Sequence, residues 1–203
     1  MAPIILNNTV KSNGVSDTKE IDRQLKEGIN NLKGSFYDIE TGKVNYSAMK
    51  GSEPFEEYKK ITAGLKDFDL KSLNTTETKL AFWINIYNSL VVDGIIQLNI
   101  KNTVREVSGF FESVAYTINN LTFSLDDIEH GILRNNVKKH LLARRPFSGS
   151  DPRKEFILGG PEPRIHFGLV CGSKSCPPIG TYQEDKIDQQ LDIAALTLLM
   201  ARI

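Results

Sequence analysis

Residues 75–98 read TTETKLAFWINIYNSLVVDGIIQL and form the most apolar long segment of the 203-residue chain. Apolar side chains occupy every turn of this segment, so a helix formed from it has almost no polar face. Asn74 and Glu77 have the spacing of a capping box, in which the asparagine accepts an amide proton at the helix start and the glutamate reaches back. The sequence therefore predicts a long central helix over about 75–98 that is buried on nearly all sides.

Two amide side chains interrupt this apolar helix. Asn85 and Asn88 are three residues apart, so they lie on the same side of the helix. A buried amide that lacks a hydrogen-bond partner costs about 1–3 kcal/mol, and both side chains therefore need partners inside the domain.

Shorter patterns indicate the remaining elements. Alternation of apolar residues predicts a strand over 164–170, and Asn119-Asn120 favours a hairpin turn because asparagine tolerates positive φ. Helical spacing predicts further helices over 16–33, after Ser52, over 125–134 and over 184–203. The predicted fold class is α+β, with the central buried helix packed on a small, mainly antiparallel sheet that includes the strand at 164–170.

Composition limits the function classes. The chain has 40% hydrophobic and 25% charged residues, with 25 Lys plus Arg against 25 Asp plus Glu, so we expect a folded domain without attraction to nucleic acid. We find no apolar run that would span a membrane and no signal peptide, and we expect a cytoplasmic protein. We predict a disordered tail over 1–15 and a single domain over 16–203, truncated at its C-terminus.

The two cysteines stand in one turn-like segment. Cys171 and Cys176 follow the predicted strand and lie among glycine, serine and proline residues. A thiol nucleophile needs a lowered pKa, and the available sources are His166, His130 and Lys174.

Three interpretations of this segment remain open. In the first, Cys171 is a small buried residue, Cys176 belongs to a rigid turn, and His166 bonds to the backbone. In the second, a cysteine with a histidine and an asparagine forms the triad of an acyl hydrolase or transferase. In the third, His130, His166, Cys171 and Cys176 form a zinc site, although a His-x4-Cys-x4-Cys spacing is unusual for zinc. We expect no metal and no cofactor.

Four separated motifs occur in one order along the chain. They are AFWINIYN at 81–88, LDDIEHGILR at 125–134, DPR at 151–153 and RIHFGLVCGSKSCPPI at 164–179. Together they resemble the domain of unknown function 547 family over about residues 35–195. The resemblance implies an uncharacterised α+β domain with no established substrate, and its helix-on-sheet style is similar to that of papain and transglutaminases.

The resemblance and the residue types predict a polar cleft. The candidate catalytic residues are Asn88, His130, His166, Cys171 and Cys176. The candidate binding residues are Asn85, Glu129, Arg134, Arg164, Ser173 and Lys174. As an enzyme, the domain would use a cysteine nucleophile with a histidine base, and Cys171 is preferred slightly. Otherwise, the same cleft would bind a peptide or small anion through Arg134, Arg164 and Lys174, with structural cysteines.

Overall fold

A computed structural model of the chain describes residues 2–11, 18–38, 40, 43–170 and 180–200. Within these ranges the α-helices are α1 (Thr18–Phe36), α2 (Tyr46–Met49), α3 (Glu53–Gly64), α4 (Thr76–Gln97), α5 (Phe110–Ser113), α6 (Ile165–Gly168) and α7 (Ile187–Met200). The strands are β1 (Ile4–Ile5), β2 (Tyr37–Asp38), β3 (Lys43–Val44), β4 (Val114–Ile118) and β5 (Leu121–Ser124). A π-helix spans Asp127–Leu133, and 3-10 turns span Leu6–Asn8, Leu65–Asp67, Leu70–Ser72, Val104–Glu106 and Pro152–Phe156.

Helix α4 is the central element, and every residue from Leu80 to Ile96 is buried. The predicted central helix is thereby confirmed. Its N-cap is Thr75, whose hydroxyl accepts the amide proton of Thr78 over 3.1 Å, and the predicted Asn74 cap is wrong by one residue. Across the described residues, none of the helices combines the length and the apolar character needed to cross a bilayer.

A small mixed sheet packs against α4. Strand β4 pairs in parallel with β1 and antiparallel with β5 in the order β1-β4-β5, and β2 pairs separately with β3. Asn119 and Asn120 form the β4–β5 turn with φ of 48° and 59°, as predicted. The ring centroid of Trp83 on α4 lies 4.9 Å from that of Phe123 on β5, which joins helix to sheet. The α+β class is confirmed, whereas the likeness to papain stays a prediction.

The beginning of the chain differs from the disordered tail expected over 1–15. Within 2–11, strand β1 pairs with β4, and Asn7 is buried behind it. The amide nitrogen of Asn7 donates to the carbonyl oxygens of Thr62, at 3.0 Å, and Thr117, at 2.9 Å. The Thr117 amide donates back to Asn7 Oδ1 over 2.9 Å. One short polar side chain thus attaches this segment to both α3 and β4.

The predicted strand at 164–170 is wrong. Residues Ile165–Gly168 form the single helical turn α6, closed by a hydrogen bond of 3.0 Å from the Leu169 amide to the Ile165 carbonyl. A side chain of α4, and not a neighbouring strand, satisfies the backbone groups that follow this turn. His166 is exposed on α6, and Ile165 faces the core.

Candidate functional site

The predicted cysteine segment, 171–179, lies outside the described residues. It contains four of the predicted site residues, Cys171, Ser173, Lys174 and Cys176. Their predicted roles therefore stay predictions. What the structure describes are the two flanks of this segment, which end at Val170 and resume at residue 180.

Asn88 holds the flank that precedes the cysteine segment. Its Nδ2 donates to the carbonyl oxygen of Gly168 over 3.0 Å, and its Oδ1 accepts the amide proton of Val170 over 3.0 Å. The Asn88 side chain is fully buried. Both ends of its amide are therefore bonded to the backbone immediately before Cys171.

Asn85 holds the flank that follows the cysteine segment in the same way. Its Nδ2 donates to the carbonyl oxygen of Tyr182 over 2.8 Å, and the Tyr182 amide donates to its Oδ1 over 2.8 Å. Asn85 and Asn88 are three residues apart on α4, about one helical turn or roughly 5 Å along the axis. The two amides, which we call the amide clamp, thus bind the two flanks of the cysteine segment on neighbouring turns of the central helix.

The second predicted motif folds into the π-helix. Ser124 and Asp127 start this region with reciprocal bonds, because the Ser124 amide donates to Asp127 Oδ2 over 3.0 Å and the Asp127 amide donates to Ser124 Oγ over 3.1 Å. The amide of Arg134 then reaches back five residues to the carbonyl of Glu129, over 2.9 Å. Such wide turns are frequent at functional sites. This one follows β5 and carries the predicted residues Glu129 and His130.

His130 is buried beside a guanidinium group. Its Nδ1 lies 2.8 Å from Nη1 of Arg134, and its Nε2 lies 3.9 Å from Oδ1 of Asp126. Arginine can only donate, so Nδ1 is the accepting nitrogen and the hydrogen of the neutral ring is on Nε2. The structure thus brings His130 together with both Asp126 and Arg134.

Burial and neighbouring positive charges disfavour protonation of His130. Burial lowers the pKa of His130 most, and the positive charges of Arg134, Lys139 and His166 lower it further, whereas the Glu129 carboxylate raises it. The effect of His166 brings α6 and the π-helix into the same electrostatic environment. His166 is therefore near enough for its charge to act on His130.

Glu129 connects the π-helix to α4. The hydroxyl of Tyr87 donates to Oε2 of Glu129 over 3.4 Å, and Nη1 of Arg134 lies 3.9 Å from Oε1. Tyr87 directly precedes Asn88 on α4. The histidine cluster, which we define as Tyr87, Glu129, His130, Arg134 and His166, thus adjoins the amide clamp.

Arg164 is engaged by carboxylates. Its guanidinium contacts Glu162 at 2.7 Å, Asp188 at 2.6 Å and Asp192 at 2.7 Å. Hydrogen bonds to these groups raise the pKa of Arg164 further above its ordinary range. This residue connects the start of α6 to α7, so its described contacts are structural and its predicted binding role stays a prediction.

Sequence reasoning missed Tyr182. Its backbone receives the Asn85 clamp, and its ring lies so close to α6 that a Cβ on Gly168 would be 3.0 Å from the Tyr182 hydroxyl. Asn85 bonds to the backbone of Tyr182 and not to its side chain, so the residue type at position 182 gave no signal of this contact. Within the described ranges, no group of three or more His, Cys, Asp or Glu side chains could hold a metal ion.

Comparison with known proteins identifies a family and no closer relative. Neither a curated protein nor a solved structure matches the chain. Residues 70–198, well over half of the chain, match the family described as "Protein of unknown function, DUF547". This match includes α4, the π-helix and the flanks of the cysteine segment. The chain therefore belongs to the DUF547 family.

Proposed function

We propose that the domain is a cysteine-dependent acyl hydrolase or acyltransferase, with Cys171 as nucleophile. The observation that carries this proposal is the amide clamp, which holds both flanks of the cysteine segment on α4 beside the histidine cluster. Cys171 is the next residue after Val170, so one peptide unit separates it from the backbone that Asn88 fixes. Anchoring of this kind favours a precise position for a reacting group.

His166 is the better general base of the two histidines. Nδ1 of His130 already accepts a hydrogen bond from Arg134, and its Nε2 carries the hydrogen, so neither nitrogen is free to take a proton. His166 is exposed on α6, four residues after Glu162 and five before Cys171. In this proposal Arg134, held by His130, supplies positive charge near the thiolate, and His166 takes its proton.

The reaction follows ordinary thiol chemistry. The Cys171 thiol transfers its proton to His166, and the thiolate sulfur forms a bond to the acyl carbon of the substrate. The leaving group departs with the proton from the His166 imidazolium, which leaves an acyl-thioester on the enzyme. Water or another acceptor then releases the acyl group and restores the thiol.

Asn88 acts as a positioning residue in this scheme. Both ends of its amide are occupied by the backbone of Gly168 and Val170, so its contribution is to orient the chain before Cys171. Amides of residues 172–175 would supply oxyanion donors, with Ser173 and Lys174 at the substrate, and Cys176 would be the second thiol. A peptide or small molecule that carries an acyl group is the proposed substrate class.

The free Cys171 thiol that this mechanism requires also favours a cytoplasmic location. Reducing conditions in the cytoplasm keep thiols from forming disulfides, whereas secreted proteins commonly pair their cysteines. We therefore propose that the domain works in the cytoplasm.

Alkylation by iodoacetamide tests the nucleophile. We expect Cys171 to react with an apparent pKa well below the ordinary thiol value of about 8.5, and His166→Ala to return it to about 8.5. His130→Ala should have a smaller effect on the apparent pKa of Cys171, because His130 takes no proton and acts only by holding Arg134. Peptide mass spectrometry against pH would distinguish Cys171 from Cys176.

An activated aryl ester, p-nitrophenyl acetate, tests acyl transfer. We expect Cys171→Ser to abolish the burst of nitrophenol and Cys176→Ser to retain it. If both thiols react with ordinary pH dependence and no burst occurs, the domain is a non-catalytic module. Arg134 and Lys174 would then bind a peptide or small anion, whereas Arg164 is already neutralised by carboxylates.

A further inference from the structure

A ten-residue loop projects from the domain after the π-helix. Residues 137–146, which we call the basic loop, start and end at a narrow neck formed by Asn136 and Phe147. Asn136 Nδ2 donates to the Phe147 carbonyl over 2.9 Å, and the Phe147 amide donates to Asn136 Oδ1 over 2.9 Å. Compact loops with joined ends are frequently functional.

The composition of the basic loop is unusual for this neutral chain. Its sequence, VKKHLLARRP, has two lysines, two arginines and a histidine but no acidic residue. At its tip, Leu141 and Leu142 are each 89% exposed. An adjacent pair of leucines in water is unfavourable unless another surface covers it.

Contacts between the basic loop and the rest of the domain fix the two sides of the loop. Lys139 contacts Glu112 at 2.8 Å and Asp126 at 2.9 Å, which fixes one side of the loop to the domain. On the other side, Arg145 Nη1 donates to the Asn136 carbonyl over 2.9 Å. The tip between these two attachments therefore points away from the core.

We propose that the basic loop docks the domain on an anionic phospholipid bilayer, with Leu141 and Leu142 entering the interface and Lys138, Arg144 and Arg145 contacting headgroup phosphates. A bilayer presents anionic charge above an apolar layer, and the loop presents the complementary arrangement, with cations on both sides of an apolar tip. Docking of this kind is peripheral and needs no membrane-spanning helix. It is independent of the proposed acyl-transfer chemistry.

A second exposed apolar surface lacks this complementarity. Ile193, Leu196 and Met200 on α7 are 55%, 57% and 72% exposed. The sequence of α7 contains Asp188 and Asp192 and no lysine or arginine. Helix α7 therefore offers no cation of its own to an anionic surface, which makes it a suitable control.

Vesicle sedimentation with the whole chain tests docking. Vesicles of phosphatidylcholine with about 30% phosphatidylserine should bind the protein, and binding should weaken as salt rises from about 50 to about 500 mM. The double variant Leu141→Ser with Leu142→Ser should bind at least about tenfold more weakly. Lys138→Gln with Arg144→Gln should weaken binding and flatten its salt dependence.

Two controls separate docking from general stickiness. Leu196→Ser removes an exposed leucine from α7 and should leave binding unchanged. Lys60→Gln with Lys71→Gln removes two cations outside the loop and should also leave it unchanged. Circular dichroism of each variant shows that the fold is retained.

Three results would overturn the proposal. These are absence of binding by the unaltered protein, equal binding to pure phosphatidylcholine vesicles, and undiminished binding by both loop variants. Self-association that the leucine variant abolishes, without vesicle binding, would instead assign the tip to a second copy of the chain.

Discussion

Arg134 donates from Nη1 to Nδ1 of His130 over 2.8 Å, so a permanent cation occupies the basic nitrogen of a buried imidazole. Protonation of His130 would place two positive charges in contact and remove the acceptor of this bond. His130 lies within the π-helix and Arg134 directly follows it, and the wide turn brings Arg134 close to Glu129 as well. Arg134 therefore contacts both Glu129 and His130 of this motif.

Removal of Arg134 should make His130 a stronger base. In Arg134→Met, the loss of the guanidinium frees Nδ1 and removes one of the charges that lower the pKa of His130, so this pKa should rise. Titration of the imidazole proton signals by NMR measures it directly. Lys60→Gln, which removes a cation that does not act on His130, should leave the pKa unchanged. A pKa that stays low in Arg134→Met would assign the shift to burial and to the charges of Lys139 and His166.

The amide clamp should contribute strongly to stability. In Asn88→Ala, the Gly168 carbonyl and the Val170 amide lose their partners, and each unpaired buried group costs about 1–3 kcal/mol. We expect the free energy of unfolding to fall by about 2–4 kcal/mol in urea titrations. Asn88→Asp should also destabilise, because a carboxylate can accept from Val170 but cannot donate to Gly168.

Asn30→Ala is the matched control for the clamp. Asn30 is exposed on α1, so this change should alter the free energy of unfolding by less than about 0.5 kcal/mol. If Asn88→Ala were equally neutral, the clamp would not hold the flank in solution. Its proposed role in positioning Cys171 would then lose its physical basis.

The clamp also explains how far sequence reasoning could reach. Two amides within an apolar helix predict a need for partners, and that need is confirmed. The partners themselves are backbone groups of Gly168, Val170 and Tyr182, and a backbone group leaves no side-chain signal at its own position. The sequence therefore predicted the clamp residues on α4 but not the backbone segments at 168–170 and 182 that bind to them.

The wrong strand at 164–170 has a related cause. Apolar residues at Ile165, Phe167 and Leu169 alternate as in a strand, but alternation over so few residues does not distinguish a strand from a single helical turn. Asn88, which is distant in sequence, bonds to the Gly168 carbonyl and the Val170 amide, so these backbone groups need no neighbouring strand. The central helix was predictable because its pattern extends over many turns, and α6 was not because its conformation depends on tertiary contacts.

Gly131 should be required by the neck of the basic loop. A Cβ at this position would overlap the buried ring of Phe147, one of the two neck residues. We expect Gly131→Ala to lower the free energy of unfolding by about 1–3 kcal/mol, as is typical of overpacking. Thermal or urea unfolding measures the loss.

A double variant tests this steric origin. Phe147→Leu shortens the side chain at the point of overlap, so it should recover part of the stability that Gly131→Ala loses. The interaction between the two changes should then be favourable. Strictly additive losses would show that Gly131 acts through backbone freedom alone.

Asp93 is a buried acid on α4 without a cationic partner in hydrogen-bond contact among the described residues. The Tyr116 hydroxyl donates to its Oδ2 over 2.7 Å, and Gln97 Nε2 donates to its Oδ1 over 2.8 Å. Burial raises the pKa of Asp93 from 3.8 to about 6, although these two hydrogen bonds oppose the rise. The folded protein therefore retains this proton at pH values where the unfolded chain has lost it.

This difference predicts a stability that falls with rising pH. Between about pH 4 and pH 6 the folded state binds more protons than the unfolded state, so the free energy of unfolding decreases across this window and levels off above it. The loss at pH 8 is on the order of 3 kcal/mol. Asp93→Asn keeps both hydrogen bonds, because the tyrosine hydroxyl can accept from the new amide. Urea titrations at pH 4, 6 and 8 should show that this variant lacks the decrease and exceeds the original protein at pH 8, whereas the exposed change Glu57→Gln should retain the decrease. A decrease that persists in Asp93→Asn would assign it to another group.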